Sequence, residues 1–168
     1  LFPYTTLFRS EAFVGLGSNL GNRKKNINNS LRLLVQREDI DIIARASFYE
    51  TEPVGPVQPW FVNTAVKIET TSSPENILRA CKEVEKRIGR VDSLKWGPRL
   101  VDLDLLLVNA YVLDRPKLTL PHPQMEERRF VLLPLLELEP DLVHPGLGTP
   151  LQELLLQTKE EKKVIKLQ

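Results

Sequence analysis

The chain has 168 residues and a formal net charge of +1, which suits one domain with a buried core. Its apolar and charged fractions are typical of a globular protein, and the balanced charge gives no sign of binding to nucleic acid or to an acidic membrane. The longest apolar run, Leu103 to Val108, is too short to span a bilayer. Cys81 is the single cysteine, which excludes a disulfide framework and a cysteine-based zinc site and favours a reducing, cytoplasmic setting.

The segment from Leu1 to Ser10 resembles the translation of a DNA-sequencing adapter. We therefore interpret residues 1–10 as a scar and not as a native segment or a signal peptide. The alternative is a native apolar tail. On the first interpretation residues 11–168 form a single domain, and the native chain begins upstream of Glu11.

Hydrophobic periodicity predicts a strand, a helix and a second strand at the start of this domain. Ala12 to Gly17 has the pattern of a short buried strand, Arg23 to Gln36 that of an amphipathic helix, and Ile40 to Thr51 alternates like a half-buried strand. The glycines and polar residues from Gly15 to Asn19 lack the lysine of a Walker motif and the third glycine of a Rossmann fingerprint, so they predict a tight strand-to-helix turn.

The middle of the chain predicts a loop, a strand and a second helix. Glu52 to Trp60 is rich in proline and predicts a stiff loop, and Phe61 to Thr70 alternates like a strand. Ser73 and Pro74 are typical of a helix start, and Gly89 is typical of a helix end.

The order strand-helix-strand-strand-helix-strand predicts an α+β fold of the ferredoxin-like type, an antiparallel sheet with helices on one face. A C-terminal hairpin and short helices are expected to follow this core. The remaining segments are predicted as a polar loop (Arg90 to Arg99), the fourth strand (Leu100 to Val108), a hairpin (Tyr111 to Leu120), a helix interrupted at Pro134 (Phe130 to Leu138), a short helix (Leu151 to Leu156) and a solvated charge run (Lys159 to Lys163).

Asp102 and Asp104 are the first candidate functional residues. On a strand, residues two apart point the same way, so the two carboxylates stand side by side. Close like charges are costly unless a cation neutralises them, and hard oxygen ligands favour magnesium bridged to phosphate oxygens over zinc. The alternative is a pair of exposed acids on an edge strand.

Cationic and aromatic residues surround this pair in the sequence. Arg99 and Trp96 come just before it, and Arg90 begins the same loop. Phosphoryl transfer depends on charge neutralisation and positioning, which metal-binding acids beside arginines supply. Surface solubility for the arginines and core packing for the tryptophan are the alternatives. His122, between two prolines, could act as a base, a metal ligand or a phosphate donor, or could simply cap a loop.

Phe61 and Asn63 share one face of a predicted strand that leaves the proline-rich loop. An aromatic face with a nearby amide suits a flat heteroaromatic ring that carries donors and acceptors on its edge. An asparagine bonded to neighbouring backbone is the alternative.

Several sequence strings together resemble the 6-hydroxymethyl-7,8-dihydropterin pyrophosphokinase family of folate biosynthesis. The resemblance extends from Phe13 to about Gly148, and the Trp-Gly-Pro-Arg string before the paired aspartates is its most specific part. The strings are Gly15 to Gly21, Tyr49 to Gly55, Gln58 to Asn63, Gly89-Arg90, Trp96 to Asp104, and Pro121-His122-Pro123 leading to Arg128 and Phe130 to Leu132.

The resemblance implies an ATP-dependent enzyme that transfers pyrophosphate from MgATP to the hydroxymethyl group of the pterin and releases AMP. It implies that Asp102 and Asp104 hold two Mg2+ ions and that Arg90 and Arg99 act in catalysis. It further implies a pterin site at Thr51, Pro53, Val54, Gly55, Phe61, Asn63 and Phe130, and a nucleotide site at Lys82, Glu85, Trp96, Leu105, Lys117, Thr119, His122 and Arg128. Some relatives are fused to neighbouring folate enzymes, so such a partner is conceivable here, whereas nucleic acid and membrane are not expected partners.

Two other functions fit the predicted fold, which by itself decides nothing. One is a small-ligand or RNA-binding module without catalysis; balanced charge and paired acids disfavour an RNA surface. The other is a different ATP-dependent kinase, which would release ADP instead of AMP.

Overall fold

The computed structural model describes residues 8–89 and 100–168. The first part of the chain contains β1 (Ser10–Ser18), α1 (Arg23–Leu34), β2 (Ile40–Arg45), β3 (Tyr49–Thr51), β4 (Phe61–Thr70), α2 (Pro74–Ile88) and β5 (Asp102–Val108). The second part contains the hairpin strands β6 (Leu113–Arg115) and β7 (Leu118–Leu120), a 3-10 turn (Met125–Glu127), α3 (Arg129–Leu138), β8 (Val143–His144), β9 (Thr149–Pro150), α4 (Leu151–Gln157) and β10 (Val164–Lys166).

The main sheet confirms the predicted ferredoxin-like α+β fold. Its strands lie in the order β10-β3-β4-β1-β5, and β2 also pairs with β4, along a different part of that strand from β3. Each of these pairings is antiparallel. β1 is therefore an interior strand that bonds to β4 on one side and to β5 on the other. Within residues 8–89 and 100–168, no helix has the length and hydropathy needed to cross a membrane.

Both core helices begin where the sequence predicted. The Asn22 side chain accepts a hydrogen bond from the Lys25 amide at the start of α1, and Ser73 accepts one from the Asn76 amide at the start of α2. Gly89 ends α2 with φ 103°, a left-handed conformation that favours glycine. The buried faces of α1 and α2 pack with one face of the sheet in a single apolar core.

The C-terminal helices cover the opposite face of the sheet, which the sequence did not predict. A second apolar core joins Phe13 of β1 and Ala65 of β4 to buried residues of α3 and α4. α3 is continuous through the buried Pro134, so the predicted interruption at this proline is wrong. The sheet is thus a middle layer between two pairs of helices.

The predicted strand from Ile40 to Thr51 is two strands, β2 and β3. Both pair with β4, but the register shifts between Ile42 and Ala44, and the short link after β2 leaves the regular ladder. Ala46 in this link still donates its amide to the Ala65 carbonyl at 3.0 Å, and its own carbonyl accepts from the Thr64 hydroxyl at 3.0 Å. A one-residue register shift and an irregular link leave no signal in an alternating hydrophobic pattern. The sequence therefore predicted one strand where the structure has two.

Two further predictions hold only in part. The predicted strand from Ala12 to Gly17 is confirmed as β1, which continues to Ser18, so Gly15 and Gly17 do not belong to the strand-to-helix turn. The charged tail is not simply solvated, because Glu160 accepts the Arg129 amide at 2.7 Å and the chain then pairs with β3 as β10.

The segment interpreted as an adapter scar ends inside the sheet. β1 begins at Ser10, which pairs with Thr70, and the Arg9 side chain forms an ion pair with Asp41. The non-native origin of residues 1–10 stays a prediction.

Glu137, near the end of α3, ties that helix to the start of β3. Its carboxylate accepts hydrogen bonds from the Ser47 amide at 3.0 Å, the Ser47 hydroxyl at 2.6 Å and the Tyr49 hydroxyl at 2.6 Å. Burial alone would raise the pKa of Glu137, but these hydrogen bonds outweigh it and the pKa lies below its usual value. Burial and the same carboxylate raise the pKa of Tyr49, which therefore remains a donor at neutral pH.

Glu137→Gln should destabilise the fold by about 1–3 kcal/mol near pH 7, because it replaces a carboxylate that accepts several hydrogen bonds. A folded-state pKa below the unfolded value gives stability that is present above the unfolded pKa and lost as pH falls through the folded one. Urea unfolding at about pH 7 and about pH 4 should therefore show the difference from wild type shrinking in acid. The exposed Glu161, changed to Gln, serves as the control. A loss of unfolding free energy that is the same at both pH values would contradict this role of the Glu137 carboxylate.

Candidate functional site

A cavity of about 260 Å³ opens on the face of the sheet that α3 covers. Its lining comes from β1, β3, β4 and β5 of the sheet, from the loop after β3, from α2 and from α3. It also includes residues of the chain before α3 and of the C-terminal segment before β10. Elements distant in sequence therefore meet at one concave surface, which is the usual form of a small-molecule site.

The floor of the cavity is formed by two glycines of β1 and the polar residues beside them. Gly17 pairs with Asn63 of β4, and a Cβ atom at Gly17 would lie only 2.6 Å from the Asn63 Oδ1 atom. Asn63 is 7% exposed and donates a hydrogen bond from Nδ2 to the Thr51 hydroxyl at 2.9 Å. Only a glycine at position 17 leaves room for this amide, because the Asn63 Oδ1 atom faces the space that a Cβ atom would occupy.

The loop from Glu52 to Trp60 is held against the start of α1. Asn19 donates from Nδ2 to the Gln58 side chain at 2.9 Å and to the Pro59 carbonyl at 3.0 Å. Arg23 donates to the Trp60 carbonyl at 2.8 Å and to the Glu50 carboxylate at 2.9 Å. These bonds fix both ends of the wall that carries Pro53 and Val54.

The opposite wall of the cavity comes from α3 and the segment before it. Phe130 lies in the first turn of α3, and the Arg128 guanidinium is 5.8 Å from the centre of its ring. Arg128 also donates to the Gln124 side chain at 2.7 Å. His122 is anchored beside β5, because its amide donates to the Leu106 carbonyl at 2.9 Å. An aromatic ring and a cation therefore stand over the glycine floor.

Asp102 and Asp104 line the same cavity from β5. They pair with Gly17 and Gly15 of β1, whereas the intervening Leu103 is fully buried in the first core. The predicted arrangement of the two carboxylates on one face of a strand is observed. Both residues are half-buried.

Glu85 of α2 fixes the backbone between the two aspartates. It is 2% exposed, accepts the Leu103 amide at 2.9 Å and lies 3.4 Å from the Lys82 ammonium. Burial, followed by the charge of Glu85, raises the pKa of the neighbouring Cys81 thiol to about 12. The thiol is therefore protonated at neutral pH and is not a nucleophile.

The carboxylate pair fits magnesium better than a metal held by protein alone. In the part of the chain that the structure describes, no group of three or more His, Cys, Asp or Glu residues could hold a metal ion. Magnesium in phosphate-transfer sites is bound through one or two carboxylates, with the remaining positions taken by water and by substrate phosphates. Asp102 and Asp104 match that donor set.

The structure brings together most of the residues that the sequence selected. Gly55 and Leu105 are not in the lining, Leu105 because its side chain is buried in the first core. Lys117 and Thr119 are exposed on the β6–β7 hairpin. Arg90, Trp96 and Arg99 lie outside the described residues. The predicted residues in the lining are Thr51, Pro53, Val54, Phe61, Asn63, Lys82, Glu85, Asp102, Asp104, His122, Arg128 and Phe130.

Nine lining residues were missed by sequence reasoning, among them Gly15, Gly17, Glu52 and Lys162. Gly15 and Gly17 had a usable signal, since glycines inside a strand mark close approach of another group. Glu52 and Lys162 had none, because their contribution depends on how the C-terminal segment packs.

The family comparison agrees with this geometry. Residues 13–140 match the family described as 7,8-dihydro-6-hydroxymethylpterin-pyrophosphokinase (HPPK). The chain belongs to the HPPK family. The "Folic acid synthesis protein fol1" of Schizosaccharomyces pombe is 43% identical over 156 residues, which cover 92% of this chain and 21% of that protein. A 2-amino-4-hydroxy-6-hydroxymethyldihydropteridine pyrophosphokinase of Methylorubrum extorquens is 39% identical over 138 residues, 82% of this chain and 87% of the relative.

Solved structures of the HPPK family share the fold. An HPPK-DHPS crystal structure in complex with substrates superposes with a TM-score of 0.70 at 13% identity, over 88% of this chain and 43% of the other. An HPPK-DHPS structure from Plasmodium falciparum gives a TM-score of 0.72 at 16% identity, over 89% of this chain and 45% of the other. The chain thus spans about a fifth of the S. pombe protein and less than half of these two structures.

Gly17→Ala should destabilise the protein by about 1–3 kcal/mol, because the added methyl group overlaps the hydrogen-bonded Asn63 side chain. Gly15→Ala is the matched control on the same strand, where the nearest atom is Leu106 Cδ1 at 3.3 Å and a flexible side chain can give way. Chemical unfolding of the two variants should show the larger loss for Gly17→Ala. Equal stability of the two variants would contradict the close fit at Asn63.

Proposed function

We propose that this chain transfers a diphosphate group from MgATP to the hydroxymethyl oxygen of 6-hydroxymethyl-7,8-dihydropterin and releases AMP. The observation that carries the proposal is that one cavity holds two kinds of groups. Asp102 and Asp104 line one side of it, and a slot formed by Phe61, Asn63 and Phe130 lines the other. The family match supports this assignment independently of the cavity.

The slot suits the pterin ring. Phe61 of β4 and Phe130 of α3 both line it, and they offer apolar faces to a flat heterocycle. Asn63, held by Thr51, offers its amide oxygen to ring N–H donors, and Pro53, Val54 and Gly55 supply the neighbouring wall or backbone. A fixed amide in a half-enclosed slot discriminates ring-edge donors well, because a mismatched ligand leaves buried polar atoms without partners.

The other end of the cavity suits the triphosphate. Asp102 and Asp104 would hold two Mg2+ ions, which when bound neutralise phosphate charge and polarise the phosphorus under attack. Lys82, His122 and Arg128 also line the cavity and would contact phosphate oxygens. The nucleotide site is completed by Glu85, Leu105, Lys117 and Thr119, together with Trp96 and the catalytic pair Arg90 and Arg99.

The reaction follows from this placement. The hydroxymethyl oxygen attacks the β-phosphorus of ATP, a new P–O bond forms, and the bond between the β-phosphorus and the oxygen bridging to the α-phosphorus breaks. The hydroxyl proton is lost, and AMP leaves with the bridging oxygen. The chain's own contribution is to hold the alcohol and the β-phosphorus in line, since phosphoryl transfer depends mainly on positioning and electrostatic stabilisation.

The setting and partners of the enzyme are part of the same proposal. A single buried thiol suits a reducing cytoplasm. A connection to another folate enzyme is supported by the much longer S. pombe relative and by the HPPK-DHPS names of the solved structures.

With ATP, Mg2+ and the pterin alcohol, the nucleotide product should be AMP. Asp104→Asn should reduce its rate of formation on the order of 100-fold or more, because one metal-binding carboxylate is lost. Nucleotide products separated by chromatography would give both results. The control is Asp114→Asn, which removes an exposed carboxylate on the β6–β7 hairpin. ADP as the main product, or near-normal turnover of Asp104→Asn, would overturn the proposal.

A further inference from the structure

The C-terminal segment forms part of the cavity wall and is fixed on both sides of Lys162. On one side, the Glu160 carboxylate accepts the amide of Arg129, the first residue of α3, at 2.7 Å. On the other side, the Lys163 amide donates to the Glu52 carboxylate at 2.9 Å, and the Glu52 amide donates to the Lys163 carbonyl at 3.1 Å. The position of Lys162 between these two anchors is therefore set by the fold.

Lys162 lines the cavity, and its neighbour does not. Its side chain is 27% exposed, and its ammonium lies 3.2 Å from the Glu160 carboxylate, which is 11% exposed. Lys163 is exposed and lies outside the lining. Among the residues that the structure describes, Glu160 is the carboxylate partner of this ammonium. An ammonium group has three N–H donors, so donor capacity remains for a ligand.

The strand order places Lys162 at the slot end of the cavity. It precedes β10, which borders β3, and β10 is separated from β5 by three intervening strands. At about 4.8 Å per step, β10 lies about 19 Å from the strand that carries Asp102 and Asp104. An extended lysine side chain does not reach that far. Glu52, in contrast, bonds to Lys163 and is followed directly by the slot residues Pro53 and Val54.

We propose that Lys162 is a further substrate-binding residue, whose ammonium donates a hydrogen bond to an acceptor atom on the edge of the flat heterocycle. Glu160 acts as its positioning residue. The inference rests on the proposed function, because it assumes that the heterocycle occupies the slot. It concerns a part of the chain beyond residues 13–140, which are those matched to the family.

The test compares Lys162→Met with Lys163→Met in the full chain. Methionine keeps the length and apolar stem of lysine and removes the charge and the donors. Dissociation constants for the pterin alcohol and for the magnesium complex of a non-hydrolysable ATP analogue would be measured by calorimetry, together with melting temperatures. Lys162→Met should weaken pterin binding about tenfold, as expected for the loss of a hydrogen bond from a charged donor. Analogue affinity and melting temperature should stay unchanged, and Lys163→Met should behave like wild type.

Lys162→Arg adds a second readout, because it keeps a cationic donor and should recover part of the pterin affinity. Pterin affinity of Lys162→Met within twofold of wild type would overturn the inference. A loss of affinity for the nucleotide analogue alone would also overturn it. Equal losses of affinity for both ligands, with a lowered melting temperature, would overturn it too, because they would indicate a structural role. Wild-type protein that binds neither ligand would instead refute the proposed function, and this inference with it.

Discussion

The register of β1 between β4 and β5 is the constraint on which the site depends. Gly17 pairs with Asn63 on one side and with Asp102 on the other, and Gly15 pairs with Ala65 and Asp104 in the same way. A one-residue shift of β1 would turn Leu16 toward the cavity in place of the two glycines, and a one-residue shift of β5 would turn both carboxylates into the apolar core formed with α1 and α2. The burial of Leu16 and Leu103 in that core therefore also selects which polar groups face the cavity.

The helices α3 and α4 convert this polar face of the sheet into an enclosed site. α3 brings Phe130 over the sheet, and Glu137, two turns further along the same helix, bonds to Ser47 and Tyr49 at the start of β3. Thr51, which orients Asn63, lies at the end of that short strand. The two walls of the slot are thus linked by the hydrogen bonds that Glu137 accepts from Ser47 and Tyr49, and the C-terminal strand adds a further link along β3.

Local patterns in the sequence were sufficient for the fold class and for Phe61, Asn63, Asp102, Asp104 and His122 of the cavity lining. The other predicted lining residues came from the family resemblance. Alternation predicted β4 with its observed ends, capping residues predicted α2, and a period of two placed Asp102 and Asp104 on one face. What the sequence could not predict depends on distant contacts. β2 has a register shift between Ile42 and Ala44, the position of α3 and α4 on the second face needs the tertiary core, and β10 forms by pairing with the edge of β3. Lys162 was missed for that last reason.

The central claim is that the cavity holds the alcohol against the middle phosphorus of ATP and not against the terminal one. The position of a radiolabel tests this directly. ATP labelled at the β-phosphorus would be incubated with Mg2+, the pterin alcohol and the protein, and the pterin and nucleotide products would be separated and counted. The account predicts that the β-label moves to the pterin product, because the diphosphate is transferred as a unit. Label retained in the nucleotide, while a γ-label moves to the pterin, would contradict it.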